Sequence, residues 1–325
     1  MTAYLIRRLL YAVPILIGVN LLTFALFFMV NTPDDMARLH LGVKRVTPEA
    51  IENWKAARGY DRPLFVNAAA SGAGKLTETV FFEKSVAMFA FDFGAADDGR
   101  DIGAEIKMRM WPSLAIALPT FVIGLLVNIT VALILIFFRH TYVEWTGVVT
   151  LVAMMSISGL FYIIAGQYLF AKVWALAPIS GYQDGVDAAR FVWLPILVGL
   201  VAGVGAGARW YRTLFLEEAG KDYVRTARAK GLSETTVLFR HILKNGMVPI
   251  LTGAVAVFPL LFMGSLILES FFGIPGLGSY TIDAINAQDF AIVRAMVFLG
   301  AMLYIAGLIL TDLSYTLVDP RVRLQ

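Results

Sequence analysis

Residues 112–138 read PSLAIALPTFVIGLLVNITVALILIFF, and no position among them carries a charge. A helix needs about 20 mostly apolar residues to cross the hydrocarbon of a bilayer, so this run is long enough to span one. Five further stretches qualify, at about 9–30, 145–172, 192–214, 247–269 and 291–318; that at 192–214 is interrupted near its end by Arg209 and Arg212. The chain as a whole agrees, with 58% of its 325 residues hydrophobic and 16% charged, against about 25% charged in a soluble domain. Too little polar surface remains to cover a globule in water. The composition implies an all-α integral membrane protein with six transmembrane helices and the lipid bilayer as solvent.

An even number of spans returns both termini to one side. Lys and Arg in short loops mark the cytoplasmic side. Arg7 and Arg8 precede the first span, Arg139 separates the second and third, and Arg321 and Arg323 follow the last. The stretch between the fourth and fifth spans holds Arg225, Arg228, Lys230, Arg240 and Lys244, whereas Ser270 to Ala291 holds no Lys or Arg. Both termini are therefore expected in the cytoplasm and the long segment 31–111 outside. The apolar run Leu9 to Val30 exceeds a signal-peptide core and lacks a following A-x-A site, so a retained helix is expected.

Several function classes fall away. The net charge of +3 is spread along the chain and makes no basic face for nucleic acid. There is no cysteine, hence no disulfide or thiolate chemistry, and His40, His140 and His241 lie too far apart in sequence to suggest a metal site. By organisation the chain divides into an N-terminal transmembrane helix (1–30), an extracytoplasmic segment of helices and loops broken by Pro33, Pro48 and Pro63 (31–111), a five-span region (112–318) and a cytoplasmic tail (319–325). No internal repeat is visible.

The most informative loop, 215–246, carries Asp222-Tyr223-Val224-Arg225-Thr226-Ala227-Arg228-Ala229-Lys230-Gly231-Leu232-Ser233-Glu234. Helix formers run from Arg225 to Lys230 and stop at Gly231, the residue favoured just past a helix end. Ser233 suits an N-cap, with Glu234 in the first turn of a second helix. That helix continues through Val237, Phe239, Ile242 and Leu243 toward Pro249. The small side chains of Ala227, Ala229 and Gly231 suit close approach of another surface, and Arg225, Arg228 and Lys230 offer charges around it. From the residues alone, docking element and ordinary positive-inside loop stand level.

A resemblance separates them. Asp222 to Leu232 resembles, without a mismatch, the coupling loop of ABC importer permeases in the dipeptide, oligopeptide and nickel branch. Against the wider E-A-A-x-x-x-G pattern, Arg225 stands at the Glu position and Thr226 at the first Ala, while Ala227 and Gly231 match. Further strings are similar to that branch in the same order: Tyr4 to Leu10 with Pro14, Asp92-Phe93-Gly94, Leu176 to Tyr182, Phe272 to Gly278, and Asp312 with Tyr315 followed by Asp319-Pro320-Arg321-Val322-Arg323. The resemblance implies a type I ABC importer permease fold in the bacterial inner membrane. It also implies a second homologous permease, cytoplasmic ATPase subunits and an extracytoplasmic solute-binding protein as partners. Asp222, Tyr223, Arg225, Thr226, Ala227, Arg228, Ala229, Lys230 and Gly231 would form the ATPase-coupling site. ATP and Mg would be bound by the ATPase partner, since this chain has no G-x-x-x-x-G-K-[ST] phosphate loop and no cofactor of its own is expected.

Other positions call for simpler chemistry. Gly199, Gly203 and Gly207 follow a small-xxx-small spacing, which lets helices pack closely in lipid; Gly203→Leu is expected to disturb assembly. Ionisable residues within spans are costly. Glu269 and Asp312 are candidates for the translocation path or for a seam with the second permease, and Arg294 starts the last span. Asn20, Asn128 and Gln167 are read as interhelical hydrogen bonders. A membrane-embedded enzyme would need H-E-x-x-H, paired intramembrane aspartates or a G-x-S-G serine, and none is present. A stand-alone secondary transporter would show repeats and mid-span broken helices, which are not evident in the sequence. Peptides are the cargo the branch implies; nickel, glutathione and sugars are its alternatives.

Overall fold

The computed structural model describes residues 2–42 and 46–318; the Asp319 to Arg323 string and the tail 319–325 lie outside the described residues. Regular structure among the described residues is helical, apart from one antiparallel bridge between Ala95 and Asp101. In chain order the helices are α1 (Thr2–Ala25), α2 (Pro33–Leu41), α3 (Pro48–Arg58), α4 (Gly74–Thr77), α5 (Ile102–Phe137), α6 (Tyr142–Ser156), α7 (Gly159–Gly166), α8 (Ala188–Ala219), α9 (Asp222–Ala229), α10 (Glu234–Thr236), α11 (Lys244–Val257), α12 (Leu266–Phe272), α13 (Leu277–Ala287) and α14 (Phe290–Val318). Wider π-type turns prolong α1 to Val30, α7 to Val173, and α10 through Val237–Leu243 into α11.

Five stretches among the described residues are continuous, long and apolar enough to cross a membrane: Arg7–Val30, α5, α8, Glu234–Met263 and Phe290–Ser314. The third expected span is different. α6 and α7 are bent by 89° at Ile157-Ser158, where both residues are extended. The 15 residues of α6 reach roughly 22 Å at 1.5 Å per residue, short of the ~30 Å hydrocarbon core. A broken helix was not evident in the sequence, because the apolar run continues unchanged through the break. The Met154 carbonyl near the end of α6 accepts from the Ile157 N–H at 3.4 Å and from the Tyr162 hydroxyl at 2.9 Å.

The helices gather into two compact units that do not follow chain order: described residues up to Met108 with Thr281–Ala306, and Arg109–Tyr280 with the described residues from Gly307 to Val318. Most of segment 31–111 shares a unit with α1 and the start of α14. Local signals build it. Thr32 caps α2 in a reciprocal box with Asp35, and Thr47 caps α3, each followed by proline at the first helical position. Gly59 ends α3 at φ +68°. The unit's core is Phe24, Phe28, Met36, Ile51, Trp54 and Val80, with Phe24 and Phe28 stacked at 4.7 Å. Asn20 donates to the Ser85 carbonyl at 2.9 Å. Asp289 ties the unit's two stretches: its carboxylate accepts from the Ile292 N–H at 3.2 Å, capping α14, and from the Asp97 N–H at 2.7 Å.

The second unit is built around α8, which packs on α6, α7, α11 and α12. Its glycines show how closely. A Cβ on Gly205 would lie 2.8 Å from the Leu151 carbonyl oxygen of α6, and one on Gly199 would lie 3.1 Å from the Thr120 methyl of α5. A Cβ on Gly207 would collide with the Asn128 side chain. Gly203 differs from the expectation, since a Cβ there would meet nothing within 4 Å. Close packing within the chain thus uses Gly199, Gly205 and Gly207. Gly205→Leu is expected to cost at least the 1–3 kcal/mol typical of overpacking, seen as a lower unfolding midpoint in detergent, while Gly203→Leu leaves the midpoint of the isolated chain within error.

Candidate coupling site and a carboxylate-held loop

α9 is amphipathic because its two buried residues fall one turn apart. Val224 and Ala227 are 0% and 4% exposed and join a cluster with Ile129 and Ala132 of α5, Phe215 and Ala219 of α8, and Val237, Leu238, Ile242 and Ile250. Asp222, Tyr223, Arg225, Thr226, Arg228, Ala229, Lys230 and Gly231 remain on the exposed side. Ala227, expected to face an incoming surface, is instead the small residue that lets α9 lie against its own bundle. The first helix also begins three residues earlier than the expected Arg225, because Asp222 supplies a favourable first-turn charge and its carbonyl accepts from the Thr226 hydroxyl at 2.9 Å.

The turn and second helix follow the sequence closely. Gly231 has φ +76°, a left-handed conformation that glycine adopts without strain. The Ser233 side chain accepts from the Thr236 N–H at 3.4 Å. Across the turn, Arg228 donates through Nε at 2.8 Å and Nη2 at 3.1 Å to the two oxygens of Glu234. Both side chains are largely exposed, so this fork adds about 0.2–1 kcal/mol; its main effect is to fix the geometry of the turn. At the other end Glu218, buried at the end of α8, accepts from Lys221 and from the Tyr223 hydroxyl. Burial, with that hydrogen bond second, pushes the Tyr223 hydroxyl up to about 12. Gly246 of α11 sits against the Phe215 ring, where a Cβ would come within 2.6 Å. The element is thus bolted to α5, α8 and α11 on one face and presents tyrosine, arginine and lysine on the other. Glu218 and Phe215 carry no motif, and sequence reasoning did not single them out.

The loop after α11 is organised by a carboxylate. The expected fifth span ends early: the chain tightens into a 3₁₀ turn over Phe258–Met263 and breaks at Gly264, φ +67°. Glu269 therefore lies on the separate helix α12 and is 1% exposed. Its Oε1 accepts from the Ser265 N–H at 3.0 Å, and its Oε2 from the N–H groups of Gly278 at 2.7 Å and Ser279 at 3.1 Å. The Ser113 hydroxyl of α5 donates to the same carboxylate and accepts from the Leu277 N–H at 2.7 Å. A Cβ on Gly264, Gly276 or Gly278 would intrude on this carboxylate. The Phe272 to Gly278 string is the backbone cage around Glu269. Its neighbour string 176–182 joins it, since the Gly181 N–H donates to the Phe272 carbonyl at 2.8 Å and Gln167 donates to the carbonyls of Ile179 and Phe271, each at 2.9 Å.

Glu269, a candidate for path or seam, thus has its acceptors occupied by donors of its own chain. Asp312 is half-buried on α14; the two are placed on different helices. Ser113 was missed, having no signal beyond its place at the start of an apolar run.

Residues 108–324 match the model of the binding-protein-dependent transport system inner membrane component, and residues 1–85 match the N-terminal region of such membrane components. The chain belongs to this family. It is a multi-pass inner-membrane permease of the ABC importer class, a transport component rather than an enzyme. The permease is 32% identical over 330 residues to a peptide transport system permease protein of Brucella abortus strain 2308, covering 99% of each chain. It is 28% identical over 333 residues to a peptide permease protein of Brucella suis biovar 1, again covering 99% of each. A glutathione transport system permease protein of Salmonella typhi is 28% identical over 324 residues, with 99% of both chains covered.

Removing the Glu269 carboxylate strands the buried N–H groups of Gly278 and Ser279 and the partly buried one of Ser265, a buried N–H costing about 1–3 kcal/mol when unsatisfied. Glu269→Ala should therefore lower the unfolding midpoint of the permease sharply, and Ser113→Ala should lower it less. Thermal unfolding of both variants in detergent checks the order, and an unchanged midpoint for Glu269→Ala would contradict the staple role.

Proposed function

We propose that this permease imports short peptides, forming half of a translocation path whose other half comes from a second homologous permease subunit. The observation that carries the reading is full-length similarity to relatives named peptide transport system permeases. The relative named for glutathione, itself a tripeptide, falls in the same chemical class. Cytoplasmic ATPase subunits bind ATP and Mg and hydrolyse the nucleotide, and an extracytoplasmic solute-binding protein delivers the cargo. Both termini and the α9–α10 turn lie on the cytoplasmic side. The five-span region 112–318 serves as the transmembrane domain and 215–246 as its coupling loop.

The geometry of α9 supports the coupling role. An element that transmits a partner's movement must be rigid toward its own spans and open toward the partner. Val224, Ala227 and Glu218 supply the first property. The exposed side chains of Tyr223, Arg225, Arg228 and Lys230 supply the second.

Ala229 is exposed and separates the two effects. In proteoliposomes holding the complete transporter, Ala229→Glu should leave assembly normal while reducing ATP-driven peptide uptake and peptide-stimulated ATPase activity at least tenfold. Ala227→Leu should first reduce the yield of folded permease, because its side chain points into the bundle. Full coupled activity in Ala229→Glu, or uptake by the permease alone under an ion gradient without ATP, would overturn the assignment.

A further inference from the structure

Arg294 lies in the second turn of α14 and is 3% exposed. Its Nη2 donates to the Lys84 carbonyl and, at 3.2 Å, to the Ser85 hydroxyl, and its guanidinium lies 4.8 Å from the centre of the Phe28 ring. These partners are neutral. A buried charge is ordinarily matched by an opposite one, and no carboxylate among the described residues forms an ion pair with this guanidinium. A guanidinium has five N–H donors in a planar fork, and only Nη2 is engaged here.

Arg294 also lines a cavity of about 570 Å³ whose wall carries Arg58, Arg62 and Lys84 against Glu83 and Asp97. Both carboxylates are committed. Asp97 pairs with Arg58 at 2.7 Å, and Glu83 with Arg62 at 2.7 Å and Lys84 at 3.1 Å. The cavity wall is therefore net positive, and its most buried cation is the one without a counter-charge. An adjoining cavity of about 140 Å³ shares Tyr60 and Asp97 and is lined by Trp54, whose buried indole N–H has no acceptor. Each cavity thus holds a buried donor, the Arg294 guanidinium or the Trp54 indole, with bonding capacity to spare.

We propose that the larger cavity is an anion site whose ligand is a carboxylate seated on Arg294, and that in this permease the carboxylate is the free C-terminus of a short peptide. A single uncompensated guanidinium matches a singly charged group, and the planar fork matches a carboxylate in a bidentate pair. The anion site stands on Arg294 and the cavity wall. Its assignment to a peptide terminus rests on the peptide-import reading.

The complete transporter in nanodiscs separates the two parts. At constant ionic strength, replacing chloride by acetate should raise the thermal unfolding midpoint of the wild type and leave Arg294→Gln unmoved. A tripeptide with a free C-terminus should bind the wild type at least tenfold more tightly than its C-terminal amide by calorimetry, and Arg294→Gln should erase that preference. Should Arg294→Gln fail to assemble, Arg294→Lys, which keeps the charge and loses the fork, should show a reduced preference. Acetate stabilisation without discrimination between acid and amide would keep the anion site and reject the peptide as its ligand. Equal midpoints in acetate and chloride for the wild type would overturn the site outright, whatever the peptides do.

Discussion

A peptide group inside hydrocarbon has no water to turn to, and each N–H or C=O left unpaired there costs several kcal/mol. That constraint governs this permease more than any side-chain contact. Its continuous spans meet it with intrahelical hydrogen bonds, and the interior prolines of α5, α8 and α11 are tolerated as they are in other membrane helices. Where the chain stops being helical, a side chain takes over. At the α6–α7 bend the Tyr162 hydroxyl answers a carbonyl. After α11 the Glu269 carboxylate answers three amide groups, with the Ser113 hydroxyl relaying to a fourth. Irregular backbone persists in this protein because polar side chains are buried beside it.

The same logic explains why α9 behaves as a unit with the spans. It is only eight residues long, well below the length at which an isolated helix is stable in water. Its order comes from the two side chains it buries and from the closures at its ends. Glu218 holds the start through Lys221 and Tyr223, while Arg228 and Glu234 brace the turn that follows. A short helix fastened in this way has little freedom to absorb a push by bending. Force applied to its exposed face is passed to α5, α8 and α11 through Phe215, Ile242 and their neighbours.

Much of this was legible in the residues. Apolar run length identifies the five continuous spans, and the Gly231–Ser233 pair marks the turn between two helices, as found. The bend at Ile157-Ser158 was not legible, because hydropathy is blind to a change of direction and no proline or charge marks it. Gly199, Gly203 and Gly207 show the limit of spacing arguments. Period four identifies a small-residue face but not the residue that a neighbour meets, and it passed over Gly205, which packs closest to the α6 backbone. The cost of burying it marks Glu269 in the sequence as a candidate for the path or for a seam with the second permease. One of the donors that surround it, the Ser113 hydroxyl, comes from a different span, a pairing that no local pattern displays.

The cage around Glu269 also bears on how this stretch can vary. Gly264, Gly276 and Gly278 each stand where a Cβ would occupy the carboxylate's space, so the glutamate and the three glycines form one lock. A larger residue at any of the glycines is admissible only if the carboxylate withdraws, and its withdrawal strands the amides it holds. Aspartate, one methylene shorter, cannot span the same distances from the same helix. In such a set, exchanging one member alone disturbs the others. The F-x-I-P-G-L-G string is thus better understood as the negative imprint of a glutamate three residues upstream of its phenylalanine than as a signature in its own right.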